Sequence, residues 1–253
     1  MSFETITVER NEAVGVLTLN RPQSMNALCA AMLGETAEAL NQFDADDSIR
    51  AVVLTGADGC FAAGTDMSEF KNETTFAVYT AAKNALKSFK KPLIAAVAQY
   101  AFGGGLELVL ASDIAIAADN ARFGFPEITI GVLPQLGGAT MLTNRVGRAK
   151  ACDILMTGRQ LSADEALACG LVSRIVDSAE LFEQVMETAQ RIAAMPASAV
   201  GLIKQAVEKA DSFAASDEDA LARLSLYSAD AREGLTALAE NRAPKFTHQQ
   251  FIP

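Results

Sequence analysis

The stretch from Lys91 to Gly131, KPLIAAVAQYAFGGGLELVLASDIAIAADNARFGFPEITIG, decides how the rest of the chain is read. It opens on a short apolar strand, Leu93 to Val97, passes through a turn into three glycines and enters an apolar helix. Glu107 is the only carboxylate between Pro92 and Ser112, and the helix around it, Leu106-Glu107-Leu108-Val109-Leu110, carries charge on almost no face. That argues for burial, and burial disfavours an ionised carboxyl, so Glu107 is a candidate proton carrier. Gly103 to Gly105 stand where a helix start exposes unpaired N–H groups, and the absence of side chains lets a ligand approach. The dinucleotide fingerprint is incomplete, because Leu108 stands where its third glycine belongs, and no Lys-Ser/Thr pair completes a phosphate loop. An oxyanion suits this turn better than a phosphate. On these residues alone, a tight strand-to-helix turn with a satisfied core acid explains the pattern equally well.

The 253 residues are enough for one main core with a smaller appended helical region. Half are hydrophobic, yet no apolar run approaches the roughly 20 residues of a membrane span, and MSFETITVER carries no signal-peptide pattern. A soluble, cytoplasmic protein with no membrane partner is expected. The formal charge of -10 disfavours nucleic acid, which selects basic patches. Cys29, Cys60, Cys152 and Cys169 form no C-x-x-C pair, so reduced thiols and no metal site are expected. The one histidine, His248, lies in the polar tail, which leaves acid-base work to carboxylates, lysine, tyrosine or cysteine.

Around the central stretch, Phe3 to Glu9 and Val14 to Asn20 read as paired strands turning at Asn11-Glu12, and Leu28 to Phe43 as a surface helix. Ala51 to Thr55 is a buried strand ended by Gly56-Ala57-Asp58-Gly59. The loop after it, Phe61-Ala62-Ala63-Gly64, is weakly like Phe102-Gly103-Gly104-Gly105. If the two occupy equivalent places in successive strand-turn-helix units, the backbone N–H groups of Ala63 and Gly104 face one cleft as a two-donor anion hole. Two unrelated small-residue turns are the plain alternative. Asn72 to Lys90 reads as an amphipathic helix with Phe76, Tyr79, Ala82, Leu86 and Phe89 inward and Lys83, Lys87 and Lys90 solvated. Pro126-Glu127 has the form of an ordinary helix start, but its apolar setting suggests a second buried carboxylate. From Leu136 the chain becomes helical, with a capping box at Ser162 to Glu165, a short strand at Leu171 to Val176, and helices over Ala179 to Ala194, Ala197 to Ala210 and Glu218 to Arg242. Leu202, Ile203, Ala206 and Val207, then Leu221, Leu224, Leu235 and Leu238, form the stripes of the last two. Such a tail exceeds what one core needs, which predicts a homo-oligomer.

The motifs AVVLTGADGCFAAGTDM, KPLIAAVAQYAFGGGLEL, ARFGFPEITIGVLP and LMTGRQLSADEALACGLVSRIV together resemble the crotonase, or enoyl-CoA hydratase/isomerase, superfamily, in its order and over nearly the whole chain. The resemblance implies an α/β fold, a spiral of ββα units over residues 1–195, followed by a helical oligomerisation region over 196–253 that packs trimers or hexamers. It also implies an acyl-CoA thioester substrate, with coenzyme A part of that substrate and no separate cofactor. Carried over position by position, it puts catalytic acids at Glu107 and Glu127, the oxyanion hole at the N–H groups of Ala63 and Gly104, and substrate contacts at Ala63, Gly64, Thr65, Asp66 and Gly104. The implied reaction is hydration of a 2-enoyl-CoA. A Δ3-Δ2-enoyl-CoA isomerase working with one acid at Glu127, and a non-catalytic acyl-CoA-binding member of the fold, are the rival readings. Four positions depart from the family pattern. Gln135 and Leu136 replace small residues in Pro134-Gln135-Leu136-Gly137-Gly138, Thr65 replaces the usual Ala, and Asn241 replaces a lysine for the CoA phosphates, leaving Arg242 or Lys245 as substitutes.

Overall fold

A computed structural model describes residues 3–69, 73–195, 197–210 and 229–245. The side chains of Phe76 and Ala206, and residues Leu221, Leu224 and His248, lie outside the described set. Among the described residues, nine strands form two sheets. The larger has six: β1 (Ile6–Asn11), β2 (Val14–Leu19), β3 (Ala51–Gly56), β4 (Leu93–Val97), β6 (Ile114–Ala118) and β9 (Arg174–Val176), in that spatial order. Only β1 and β2 run antiparallel; every later pair is parallel. The smaller sheet joins β5 (Tyr100–Phe102), β7 (Arg122–Gly124) and β8 (Leu161–Ser162).

The apolar strands alternate between two cores, as a period of two requires. Val16, Val53, Ile94, Ala96 and Ile116 face helix α7 (Leu181–Ala193), which buries Leu181, Val185, Met186 and Ala189 against them. Their neighbours Leu17, Val52, Leu54, Ala95, Val97 and Ala117 face the other way. There they meet α1 (Ala30–Ala45), α2 (Glu73–Ser88) and α3 (Gly104–Ala111). The spiral comes from one repeated move, a long strand that leaves the large sheet and pairs again a few residues on. β4 passes into β5 and β6 into β7, with Tyr100 to Phe102 parallel to Arg122 to Gly124. β3 does the same, because Ala62 forms a parallel bridge with Ala101. The likeness between the two glycine-containing loops is therefore structural: they lie side by side on successive turns.

Several boundaries move for identifiable reasons. The hairpin turns at Glu12-Ala13, since Asn11 pairs with Val14 and Glu12 takes the left-handed conformation. Before β1, the Glu35 carboxylate accepts the N–H groups of Glu4 and Thr5, which ties that segment to α1, while the Thr5 carbonyl accepts the N–H of Asn20. Leu171 and Val172 are buried in a turn, so the last strand begins only at Arg174. The capping box at Ser162 and Glu165 opens α6 (Ala163–Ala168). Helices α4 (Gly138–Val146) and α5 (Arg148–Thr157) break at Gly147.

The C-terminal helices α8 (Ala197–Ala210) and α9 (Ala229–Ala239) carry the apolar stripes read from the sequence. In α9 the residues turned inward are the small ones, Ala231, Gly234 and Ala237, while Leu238 is 47 % exposed. On α8, Leu202, Ile203 and Val207 are 65 %, 64 % and 61 % exposed, although Lys204 of the same helix reaches back to Asp113 at 2.9 Å. Large apolar residues face outward and small ones pack within the chain. A period of 3.6 identifies a stripe but not which stripe is covered.

Gly56 shows how tight the strand-to-loop exits are. A Cβ there would lie 1.9 Å from the Cys60 carbonyl oxygen and 2.4 Å from that of Phe61, both main-chain atoms that cannot rotate away. Gly56→Ala is expected to destabilise the fold by about 2–3 kcal/mol, the scale of overpacking in a close-packed core. Urea unfolding followed by circular dichroism measures it.

Candidate active site

Glu107 sits in the middle of α3 and is only 1 % exposed. A buried carboxylate needs partners. The main chain provides them: Oε1 accepts the N–H of Leu136 at 2.6 Å and that of Gly138 at 2.8 Å. Those amides belong to the loop entering α4, so Gln135 and Leu136 lie beside the acid itself. Gly138 is required there, because a Cβ would come 2.9 Å from Glu107 Cγ and 2.7 Å from the Phe125 ring. With two donors on Oε1, any proton that Glu107 carries rides on Oε2.

Glu127 stands on the 3-10 turn Pro126–Ile130, one turn instead of a longer helix, which ends at Gly131 in the left-handed conformation. The residue is half-buried as a whole, but its Oε2 is buried with no hydrogen-bond partner. Burial pushes its pKa up to about 7, against a smaller opposing effect from its own main-chain N–H. The suggestion of a second buried carboxylate thus holds at the level of the carboxyl group. Its Oε1 lies 2.5 Å from the place a Cβ on Gly103 would take. Gly103 has φ +48° and caps α3, its N–H donates to Gly124 at 2.9 Å, and its carbonyl accepts the N–H of Glu107 at 3.0 Å. Both acids are thus tied to Gly103, Glu107 through its main-chain N–H and Glu127 through its carboxyl against the helix cap.

The loop Ala62 to Asp66 lies along the same turn. A Cβ on Gly105 would meet the Ala62 carbonyl at 2.5 Å, and one on Gly104 would meet Thr65 Oγ1 at 2.7 Å. Gly104 is the first residue of α3, and among the described residues its N–H donates to no main-chain acceptor. The N–H of Ala63 is engaged, donating to the carbonyl of Met25 at 2.9 Å. Met25 and Asn26 both lie in the left-handed region, and the buried Asn26 side chain holds them by donating to the carbonyls of Ala57 and Cys60. Gly64 also has a left-handed φ, and its carbonyl accepts the N–H of Leu28. The Asp66 carboxylate bonds Ser68 and Arg21, which together hold its pKa below the ordinary range.

Sequence reading missed several contributors. The amides of Leu136 and Gly138 carry no side-chain signature beyond the Gly137-Gly138 pair. Met25 gives its carbonyl, for which no residue type is diagnostic. Tyr79, read only as an inward-facing residue, is buried and hydrogen-bonded to Thr65, so the departure from Ala at 65 brings a hydroxyl pair next to Gly104. Lys83 is not simply solvated: its Nζ lies 3.4 Å from the Cβ position of Gly137, over the loop that holds Glu107. Gln135 donates through Nε2 to the Leu133 carbonyl and leaves Oε1 buried without a partner. Of the residues suggested for phosphate binding, Arg242 bonds Glu233 at 2.6 and 3.0 Å and Glu240 at 2.6 Å, and the Lys245 N–H donates to Glu233. The Arg242 guanidinium is committed to carboxylates of its own segment, which argues against that role for it. Among the described residues, no three His, Cys, Asp or Glu side chains gather as a metal site, and no helix is long and apolar enough to cross a membrane.

A spiral of strand-turn-helix units, with two acids and a glycine turn at the head of an apolar helix, defines a protein of the crotonase fold. The comparisons with known proteins make the assignment finer. Residues 9–249 match the family model described as enoyl-CoA hydratase/isomerase, and the chain belongs to that family. It is 44 % identical to a probable enoyl-CoA hydratase of Mycobacterium tuberculosis over 98 % of this chain and all of that one. A mitochondrial enoyl-CoA hydratase of Pongo abelii is 38 % identical over 98 % of this chain and 89 % of its own. Among solved structures, an enoyl-CoA hydratase/isomerase from Pseudoalteromonas atlantica superposes with a TM-score of 0.89 at 31 % identity, covering 96 % of this chain and all of that one.

The raised pKa of Glu127 has a consequence for stability. Folding into this seat penalises the ionised form, so stability is full below the ordinary value of 4.5, falls as pH rises towards about 7, and stays lowered above it. The penalty is about 3 kcal/mol at one pKa unit per 1.36 kcal/mol. Glu127→Gln is expected to gain stability over the wild type on going from about pH 5 to about pH 8, and urea titrations of both proteins at the two pH values measure the difference.

Proposed function

We propose that the protein is an enoyl-CoA hydratase, a lyase that adds water across the 2,3 double bond of a 2-enoyl-CoA to give a 3-hydroxyacyl-CoA. The observation that carries this reading is the buried, partnerless Oε2 of Glu127 set against Gly103, on the same helix turn from which Glu107 projects. Hydration places OH on C3 and H on C2, with negative charge gathering on the thioester oxygen in between. The Gly104 N–H is the main-chain donor for that oxygen. The Ala63 N–H is the second, and to serve it must share or release the Met25 carbonyl. Each donor in such a hole contributes roughly 2.7–4 kcal/mol to the transition state.

The acids divide the work by environment. Glu127, with a pKa of about 7, is partly protonated at neutral pH and gives the proton to C2. Glu107, its Oε1 held by two amides, orients the water and takes its proton as oxygen bonds to C3. Retention of both acids favours hydration over the one-acid Δ3-Δ2 isomerisation. The substrate contacts at Gly64, Thr65 and Asp66 are part of the same proposal, supported by the apposition of that loop to Gly103–Gly105. So is the division at residue 195 into a catalytic spiral and a helical segment. The outward apolar face of α8, Leu202, Ile203 and Val207, supports a trimer or a pair of trimers. A cytoplasmic location is proposed on the bacterial relatives. Sedimentation of a monomer at working concentration overturns the oligomer.

Incubation with crotonyl-CoA tests the reaction: the ultraviolet band of the conjugated thioester is expected to disappear. Glu127→Gln should slow this by about 100-fold or more, the scale of a lost general acid, while acyl-CoA binding remains measurable by calorimetry. Turnover equal to wild type removes the mechanism, and appearance of the band from a 3-enoyl-CoA assigns isomerisation instead.

A further inference from the structure

The Pro126–Ile130 turn that carries Glu127 is gripped by glycines from three distant parts of the chain. Gly103 faces the carboxyl. Gly158, the left-handed cap of α5, would bring a Cβ to 2.9 Å from Ile128 Cγ2. Gly234, in α9, makes the closest approach, since a Cβ there would lie 2.1 Å from the Ile130 carbonyl oxygen, 2.4 Å from its carbon and 2.6 Å from its Cα. All three are main-chain atoms, so nothing can swing aside. Gly234 is buried, and Ala231 and Ala237, one turn to either side, are buried with it. Glycine weakens a helix interior relative to alanine, so its presence here needs a reason, and the approach of two backbones supplies one.

We propose that Gly234 is a positioning residue of the catalytic site: its bare Cα lets α9 lie directly on the Ile130 peptide, and this contact holds the Glu127 turn in its water-excluded seat. The inference rests on Glu127 being the working acid. Of the described glycines that face the turn, Gly234 makes the closest approach to its main chain, and the oxygen with no partner, Oε2, depends on being kept dry. Among the described side chains, the charged and titratable groups on the two helices packed there are Arg148, Lys150, Cys152 and Asp153 of α5 and Arg232 and Glu233 of α9. None of them is among the causes of the Glu127 shift, which is burial opposed by its own N–H. Displacing α9 therefore acts on Glu127 through water and geometry, not through a lost charge. The end of α9 is fastened separately, by the Arg242 guanidinium and the Lys245 N–H on Glu233.

The test compares Gly234→Ala with Gly201→Ala, a control in α8 whose added Cβ meets nothing within 4 Å. Two readouts are taken. One is the infrared titration of the Glu127 carboxyl, assigned by difference from Glu127→Gln; the other is crotonyl-CoA hydration against pH. In Gly234→Ala the carboxyl is expected to titrate at least about one unit lower, towards its ordinary 4.5. The same variant should lower kcat about 10- to 100-fold with KM little changed. Gly201→Ala should match wild type in both. A folded Gly234→Ala with wild-type titration and wild-type kcat overturns the proposal. Should Gly234→Ala not fold, Glu233→Gln, which loosens α9 without adding an atom to the contact, is expected to lower the titration in the same direction, and an unmoved titration overturns it. The infrared readout is independent of turnover. A wild type that titrates near 7 but hydrates nothing would defeat the hydratase reading while the two glycine variants still decide the role of Gly234.

Discussion

Two main-chain amides on one carboxylate oxygen organise this molecule. The N–H groups of Leu136 and Gly138 meet Glu107 Oε1 in the buried interior, where an unpartnered carboxylate would cost several kcal/mol. To make those bonds the loop before α4 must come down onto α3, and it can do so only because residue 138 has no side chain. The same descent sets Gly138 against the Phe125 ring, two residues before Glu127. A stability requirement and the geometry of the site are thus satisfied by the same contacts.

The two acids show how two carboxyls of one chain acquire different surroundings. Glu107 is more deeply buried as a residue, yet its charge-bearing oxygen has main-chain donors. Glu127 lies nearer the surface, yet its Oε2 faces no donor, and burial raises its pKa to about 7. The difference comes from where the backbone turns expose N–H groups. Glu107 is served by a loop; the amides at the end of the Glu127 turn are used internally, with Val132 and Gly131 donating to Glu127 O and Ile128 O. Apolar surroundings alone do not decide how a carboxyl titrates; the local supply of donors decides with them.

The loops on either side of the glycine turn explain why this fold can host several thioester chemistries. A methylmalonyl-CoA decarboxylase superposes on the chain with a TM-score of 0.86 at 25 % identity, so the architecture by itself does not select hydration. Near the glycine turn and the Glu107 loop this chain carries particular polar side chains. Thr65 and Tyr79 place a hydroxyl pair beside Gly104, and Lys83 and Gln135 place polar groups on the loop that holds Glu107. None of these alters a strand or a helix boundary.

Most of the architecture was legible in the sequence because it depends on patterns that local chemistry imposes. Alternating apolar residues made the strands, the Ser162 to Glu165 box started α6, and an apolar helix with one carboxylate marked Glu107. The side-by-side placement of the Ala62 and Phe102 loops was visible only as a four-residue likeness, and the bridge between Ala62 and Ala101 made it real. Tertiary structure alone decided the partners: the Leu136 and Gly138 amides on Glu107, the Met25 carbonyl on Ala63, Lys83 over Gly137, and the small-residue face of α9 on the Glu127 turn. The physical reason is common to all of them. Periodicity and turn chemistry act within a few residues, whereas a backbone amide has no sequence signature and a glycine contact is defined by what approaches it from far along the chain.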